Sequence, residues 1–188
     1  MPDQGGRERR FEAFYTAHYQ PIAGYVLRRV PTGEADDVIA QIFTVAWRRF
    51  GEVPAPPADR LWLFGVARHT VSDQRRSERR RLHLHARLSQ DAVVTVQAYL
   101  PPEHPCGEQI RAALDALKPA DREALQLVLW DELSHAEAAA LQGCSPNAFE
   151  IRYRRARNSV REAVIAMHAV VPVGEEELMY ANTRTTKP

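Results

Sequence analysis

The side chains best suited to binding chemistry in this sequence are the arginines and asparagines of one predicted helix near the C-terminus. Between Arg152 and Arg161 the chain carries five arginines and no acidic residue. Arginine can donate two parallel hydrogen bonds to a guanine edge or can hold a phosphate, and asparagine can bind the edge of adenine. This composition indicates a helix that enters the major groove of DNA. A pair of packed helices with a cationic, solvated face is the alternative for the same pattern.

A tight turn between two helices would present this surface. Ser134, followed three residues later by Glu137, predicts a capping box at the start of a short first helix, and Gly143 predicts its end. Ser145 and Pro146 predict the N-cap and the first position of the second helix. We therefore predict a helix-turn-helix over residues 134–157, with its recognition helix near 146–157.

The second helix should bury one narrow stripe, because Phe149, Tyr153, Ala156 and Val160 recur at spacings of four and three. Ile151, on the other face, could touch a thymine methyl group. The candidate DNA-binding residues on this helix are Asn147, Glu150, Ile151, Arg152, Arg154, Arg155, Arg157 and Asn158.

A second basic segment lies in the N-terminal half. Between Arg68 and Arg87 there are seven arginines and two acidic residues, whereas the whole chain has a net charge of only +1. The segment continues a helix predicted over 60–81, whose first half is apolar, and we expect Trp62 there to be a core residue. A loop with three prolines, Gly51–Asp59, precedes this helix and should be stiff.

The remaining pattern predicts an all-α protein of two small helical domains joined by a flexible linker. Residues 1–8 are expected to be disordered. Further helices are predicted over 9–30, with a break before Pro21, over 34–50, 107–117 and 119–131. We expect an N-terminal domain over 9–82, a linker over 83–106, the helix-turn-helix domain over 107–168 and a flexible tail over 169–188.

Several classes of protein are disfavoured by the sequence. The two cysteines, Cys106 and Cys144, have no metal-site spacing, and no cofactor is expected. The scattered histidines form no pair with a nucleophile, so we do not expect an enzyme. We see no signal peptide, and the longest apolar run is too short to cross a membrane. The expected location is the cytoplasm, without membrane insertion.

Two motif blocks, in this order, resemble the extracytoplasmic-function (ECF, group IV) class of sigma-70 family factors. The first block is FEAFYTAHY (Phe11–Tyr19), ADDVIAQIFTVAWRRF (Ala35–Phe50) and RLWLFGVARHTVSDQRRSERR (Arg60–Arg80). The second is LDALKPADREALQLVLWDELSHAEAAALQGCSPNAFEIRYRRARNSVREAV (Leu114–Val164). The resemblance implies a factor that binds core RNA polymerase, recognises the −35 and −10 promoter elements and helps to open the DNA. A stand-alone helix-turn-helix regulator remains the alternative.

The resemblance also implies the partners. They are promoter DNA and core RNA polymerase, which is bound through the clamp coiled coil of its β′ subunit and through the β flap. An anti-sigma factor is a possible further partner. The helix segment Ala35–Trp47, with its acidic start, matches the segment that docks on the clamp, although the family often has Gln-Glu where this chain has Ala40 and Gln41. Capping of the helix dipole is the alternative role of the acidic residues. The matching docking residues are Asp36, Asp37, Val38 and Gln41.

For the −10 element, the resemblance assigns capture of an unstacked base to the proline loop and the following helix, and assigns DNA phosphates to the basic segment. His69 and Asp73 stand where the family commonly has asparagine. At the −35 helix, Glu150 and Ile151 depart from the family pattern, so the preferred −35 sequence is left open. The residues implied at the −10 element and in melting are Pro54, Pro56, Trp62, Arg68, His69, Asp73, Arg75, Arg76, Arg79 and Arg80.

Overall fold

The computed structural model describes residues 4–86 and 107–170, with side chains described over 5–81 and 110–166. These ranges contain seven α-helices and one turn of 3-10 helix at Phe50–Glu52. The described residues are therefore all-α, as predicted. The helices are α1 (Gln4–Leu27), α2 (Thr32–Arg48), α3 (Ala58–Ala86), α4 (Gly107–Asp115), α5 (Pro119–Leu129), α6 (His135–Gln142) and α7 (Pro146–Val170).

Helices α1, α2 and α3 form an N-terminal three-helix unit because each carries an apolar stripe that faces the other two. Ile22 and Val26 of α1, Ile42 of α2, and Leu63 and Phe64 of α3 are almost fully buried. Burying side chains of this size contributes about 1.5–3 kcal/mol each. This core fixes the positions of the proline loop and of the basic end of α3.

Two predictions for the first helix are wrong. The helix begins at Gln4, so residues 5–8 are helical, and it continues through Pro21 without a break. The Arg7 guanidinium donates a 2.7 Å hydrogen bond to the carbonyl of Trp47 and lies 4.6 Å from the centre of its ring, which holds the first turns against α2. Beyond Pro21, burial of Ile22 and Val26 offsets the backbone hydrogen bond that proline cannot donate.

Other predicted boundaries shift by a few residues. Helix α3 extends to Ala86, into the segment predicted as linker, and α7 extends to Val170, past the predicted start of the tail. The rest of the linker (87–106), the rest of the tail (171–188) and residues 1–3 lie outside the described residues.

Helices α4 to α7 form a C-terminal four-helix unit, whose core contains Leu114, Leu125 and Phe149. The capping box at the start of α6 is confirmed: the Glu137 amide donates to Ser134 Oγ at 3.3 Å, and the Ser134 amide donates to Glu137 Oε2 at 2.9 Å. The predicted end of α6 is also confirmed, because Gly143 adopts a left-handed conformation with φ of +68°.

A buried group of ion pairs joins the two units, and we call it the Asp131 interface. Arg29 donates to Asp131 at 2.8 Å and to Glu123 at 3.0 Å, and Arg28 also bonds the Asp131 carboxylate. The side chain of Arg29 is 1% exposed and that of Asp131 is 0% exposed. Arg60 of α3 donates to the Asp131 carbonyl at 2.6 Å. Burial opposes the charge on Arg29, but the nearby Glu123 carboxylate, with lesser help from Tyr25 and Asp131, outweighs it and raises its pKa.

Candidate nucleic-acid interface

Helix α7 presents a polar face to solvent because its apolar stripe packs against the helices beneath it. Phe149 and Ala156 are 0% exposed and Tyr153 is nearly buried, packed with α5 and α6. Ala148 donates its amide to Ser145 Oγ at 3.2 Å, which confirms Ser145 as the cap of this helix. Local sequence and packing therefore place the opposite face of α7 in water, as the apolar periodicity predicted.

The predicted −35 residues all lie on or beside that face. Arg152 and Asn158 are half-buried, while the other six are exposed, and Ile151 is 50% exposed. A half-exposed isoleucine can reach an apolar group such as a thymine methyl. The exposed members are Asn147, Glu150, Ile151, Arg154, Arg155 and Arg157.

The arginines of this face differ in what they bind. Arg155 donates a 2.7 Å bond to the buried carboxylate of Asp121 in α5, and that bond raises the pKa of Arg155. Arg152 bonds the side-chain oxygen of Gln142 at the end of α6. Arg154 and Arg157, by contrast, have no side-chain hydrogen bond or ion pair within the described residues. Their guanidinium groups are the ones available to DNA.

Glu150 is paired across the turn with a residue that the sequence analysis did not select. His135 Nδ1 lies 2.5 Å from Glu150 Oε2, and the two side chains are 41% and 48% exposed. The imidazole ring also packs on Tyr153, with ring centres 4.7 Å apart. No sequence signal connects these residues, because their spacing of 15 crosses two helices and a turn.

The basic end of α3 faces the C-terminal unit across a cleft of about 410 Å³. Pro119 and Ala120, at the start of α5, form part of the opposite wall. Arg75 also donates to the carbonyl of Arg29 at 3.0 Å. Arg80 is exposed outside the cleft. The predicted phosphate contacts that line the cleft are Arg68, Arg75, Arg76 and Arg79, and His69, another residue implied at the −10 element, lines it beside them.

A second hollow, of about 440 Å³, lies between α2 and α3 and brings together Trp62, His69, Asp73 and Gln41. Trp62 is half-buried rather than fully in the core, and the guanidinium of Arg49 lies 5.6 Å from the centre of its ring. The indole therefore packs partly against the core and also lines this hollow.

The proline loop borders a third hollow, of about 410 Å³, which we call the proline-loop pocket. Pro54 and Pro56 line it together with Phe14 and Phe50. Beside them, His18 Nε2 lies 3.0 Å from Asp59 Oδ2, and both side chains are 13% exposed. Sequence reasoning missed the α1 residues Phe14 and His18, because only tertiary packing places α1 beside the loop.

The acidic start of α2 lies on the surface of the N-terminal unit. Asp36, Asp37 and Gln41 are exposed, so a partner can reach them. Val38 is 2% exposed and belongs to the core, which places it behind the predicted docking surface rather than on it. The neighbouring Glu34 accepts a 2.8 Å bond from Gln74 of α3.

The described residues contain neither a metal-binding cluster nor a membrane-spanning helix. No group of three or more histidine, cysteine or acidic residues there has a geometry that would hold a metal ion. None of the described helices combines the length and the apolar character needed to cross a membrane.

The comparisons with known proteins agree with the two motif blocks. Residues 14–81 match the family model for sigma-70 region 2, and residues 107–160 match that for sigma-70 region 4. The chain is 31% identical over 172 residues to the ECF RNA polymerase sigma factor SigC of Mycobacterium tuberculosis, covering 82% of this chain and 83% of that protein.

Two solved structures share the fold. The sigma factor RpoE of Bartonella quintana, in complex with the anti-sigma factor NepR, aligns with a TM-score of 0.65 and 22% identity, over 81% of this chain and 97% of that one. CnrH, in complex with the cytosolic domain of CnrY, aligns with a TM-score of 0.58 and 26% identity, over 85% of this chain and 90% of that one.

Proposed function

We propose that this chain, which belongs to the ECF class of the sigma-70 family, acts as a sigma factor through separate surfaces for DNA and for the polymerase. The chain binds core RNA polymerase and directs promoter-specific initiation of transcription. It does so as part of a family of initiation factors that are not catalysts. We place its action in the cytoplasm, beside the polymerase.

Helix α7 reads the −35 element. The observation that carries this assignment is that Arg154 and Arg157 are exposed and have no partner among the described side chains, on a helix held by the buried Phe149 and Tyr153. Guanidinium groups that keep no internal bond lose no interaction when they contact a guanine edge or a phosphate. Arg155 has a second task, because it ties α7 to α5 through Asp121.

The proline-loop pocket receives an unstacked base of the −10 element. Its aromatic and proline walls offer a stacking surface, and base stacking on aromatic side chains contributes about 1–3 kcal/mol. The His18 and Asp59 pair supplies polar atoms at the edge of a bound base. A stiff loop loses little entropy on binding, which matters because extracting a base already costs a few kcal/mol.

The arginines of α3 hold the phosphates next to that base, so binding should weaken steeply as salt is raised. The exposed Asp36 and Asp37 carboxylates dock on a basic surface of the polymerase, where complementary charge speeds association. By likeness to the structural neighbours, we extend the proposal to regulation by an anti-sigma partner.

Reconstitution with core RNA polymerase tests the proposal. The purified chain is added to core enzyme on templates randomised at both promoter elements, and the run-off transcripts are sequenced. We expect transcripts that depend on the chain and that are enriched in two separated sequence elements. DNA binding without association with the core enzyme would instead favour the stand-alone regulator.

A further inference from the structure

Glu150 places a negative charge in the middle of the exposed face of α7, which is otherwise suited to binding DNA. Glu150 is exposed in the second turn of α7, between Asn147 and Arg154 on the same face. Phosphate repels a carboxylate, so this residue cannot contribute to backbone binding. It can only add affinity by accepting a hydrogen bond from a donor on the DNA.

The structure also shows that this carboxylate is held in place. His135 is the first residue of α6, and its ring packs on Tyr153 at 4.7 Å and on Phe149 at 5.7 Å between ring centres. Both aromatic partners are buried residues of α7 itself. The ring is therefore fixed relative to the recognition helix, and its Nδ1–H donates to Glu150 Oε2.

The bond between His135 and Glu150 determines which hydrogen-bonding groups of this face remain available to DNA. Glu150 and Arg154 are four residues apart on one helix face, a spacing that commonly forms an ion pair. Here the carboxylate bonds His135 instead, and no Glu150–Arg154 bridge is present among the described residues. Arg154 keeps its donors, and Glu150 Oε1 has no hydrogen bond within the described part of the chain.

We propose that Glu150, positioned by His135, accepts a hydrogen bond from the exocyclic N4 amino group of a cytosine in the −35 element. In the major groove, guanine presents only acceptors, thymine presents an acceptor and a methyl group, and adenine presents its amino donor beside the N7 acceptor. Cytosine alone presents a donor without an acceptor on the same base, which suits a group that can only accept. This inference rests on the proposed reading of DNA by α7.

In this arrangement His135 is a positioning residue. It binds one carboxylate oxygen and directs the other toward the groove. A single hydrogen bond to a charged group contributes about 1.5–3 kcal/mol, so one promoter position should prefer cytosine by about 12- to 150-fold over the other bases.

The test uses run-off transcription by core enzyme with the full chain, on a template library randomised across the −35 element. For the wild type we expect one position with a strong preference for cytosine. Glu150→Gln should move that preference toward adenine, because an amide both donates and accepts and so matches N6 and N7. The other positions of the element should keep their preferences.

Two substitutions of His135 distinguish its hydrogen bond to Glu150 from its packing against Phe149 and Tyr153. His135→Phe keeps a ring against Phe149 and Tyr153 but loses the donor, so the cytosine preference should fall. His135→Asn keeps an N–H donor near the place of Nδ1, and it should retain more of the preference than His135→Phe. Melting temperatures of the variants establish that each is folded.

The possible failures are distinguishable. A wild-type chain that gives no −35-dependent transcription contradicts the proposed function itself. A wild type with a clear −35 preference that Glu150→Gln leaves unchanged at every position overturns the role of Glu150. A shift with Glu150→Gln, but an unchanged cytosine preference in His135→Phe, overturns the role of His135.

Discussion

At the scale of single residues, a charged side chain on a DNA-facing helix can serve either the fold or the ligand. Arg155 is bonded to the buried carboxylate of Asp121, whereas Arg154, one position earlier, has no internal partner among the described residues. Removing one or the other of these adjacent arginines should therefore have different effects on the stability of the protein. This difference gives a matched pair of substitutions.

Arg154→Ala should lower transcription from a −35-dependent promoter and leave the melting temperature unchanged, because only a contact with DNA is lost. Arg155→Ala should lower both, since Asp121 loses its main cationic partner inside the protein. Run-off transcription and thermal melting of the two variants check this. Equal melting temperatures for both variants would show that the Asp121 bond does not stabilise the fold.

Backbone strain at Glu132 supports a second prediction at this scale. Glu132 has a φ of +52°, in the left-handed region that costs a residue with a Cβ atom about 1–2 kcal/mol. Glu132→Gly should therefore raise the free energy of unfolding by about 1 kcal/mol. Glu132→Ala removes the same charge and keeps the strain, so it serves as the control in denaturant unfolding. If the alanine variant gained as much stability, charge and not strain would be the cause.

At the scale of elements, helix α6 is the support on which α7 rests, and it has only eight residues. A helix this short depends on its ends, because isolated short helices are marginal in water. The Ser134 and Glu137 capping box closes the first turn, and Gly143 closes the last. Hydrogen bonds from the Ser134 hydroxyl and amide also hold the pKa of Glu137 below its ordinary value.

Ser134→Ala should destabilise the C-terminal unit by about 1 kcal/mol, the usual contribution of an N-cap. The effect should depend on pH. Because the folded-state pKa of Glu137 is lowered, its stabilising contribution is complete above the ordinary carboxylate pKa and is lost as pH falls through the lowered value. Denaturant unfolding at neutral and acidic pH would reveal this, and a difference between variant and wild type that stayed constant over this range would contradict it.

The start of α2 carries the prediction for polymerase docking. Asp37→Arg should weaken association with core RNA polymerase, because it reverses a charge on the exposed acidic surface. Glu12→Arg makes the same change at an exposed position of α1 outside that surface and is the control. Co-purification with core enzyme at two salt concentrations measures the effect. Equal losses for both variants would indicate a general effect of charge.

At the scale of the whole molecule, the Asp131 interface joins two units that are each built around their own helices. Charges that are fully buried must be paired, and removing one partner of a buried pair typically costs about 3–5 kcal/mol. The interface also sets the basic end of α3 close to the start of α5. The relative position of the two units therefore depends in part on these ionic contacts, beside the packing of α3 on α6.

Asp131→Asn should loosen this interface, because Arg28 and Arg29 then share a neutral acceptor in place of a carboxylate. We expect a lower melting temperature and a larger radius of gyration in solution scattering. Asp115→Asn is the matched control, since Asp115 pairs with Arg122 at a more exposed site and such pairs contribute about 0–1 kcal/mol. An unchanged radius of gyration in Asp131→Asn would mean that the ion pairs do not hold the units together.

Features that depend on near neighbours in the chain were predictable from the amino-acid sequence. The capping box of Ser134, the left-handed Gly143 and the buried stripe of Phe149 and Tyr153 all follow from spacings of three to four residues, which one helical turn brings together. The two motif blocks likewise identified the family. The domain boundaries and the individual DNA and polymerase contacts stay predictions.

Features that join distant parts of the chain became visible only once the helices were packed together. Arg29 and Asp131 are 102 residues apart, and no local sequence pattern predicts that they form an ion pair. The same holds for His135 beside Glu150, and for the packing that keeps α1 helical through Pro21. The physical reason is common to all three: burial and ionic contacts between elements override local propensity, and they depend on how the helices pack rather than on the residues adjacent in sequence.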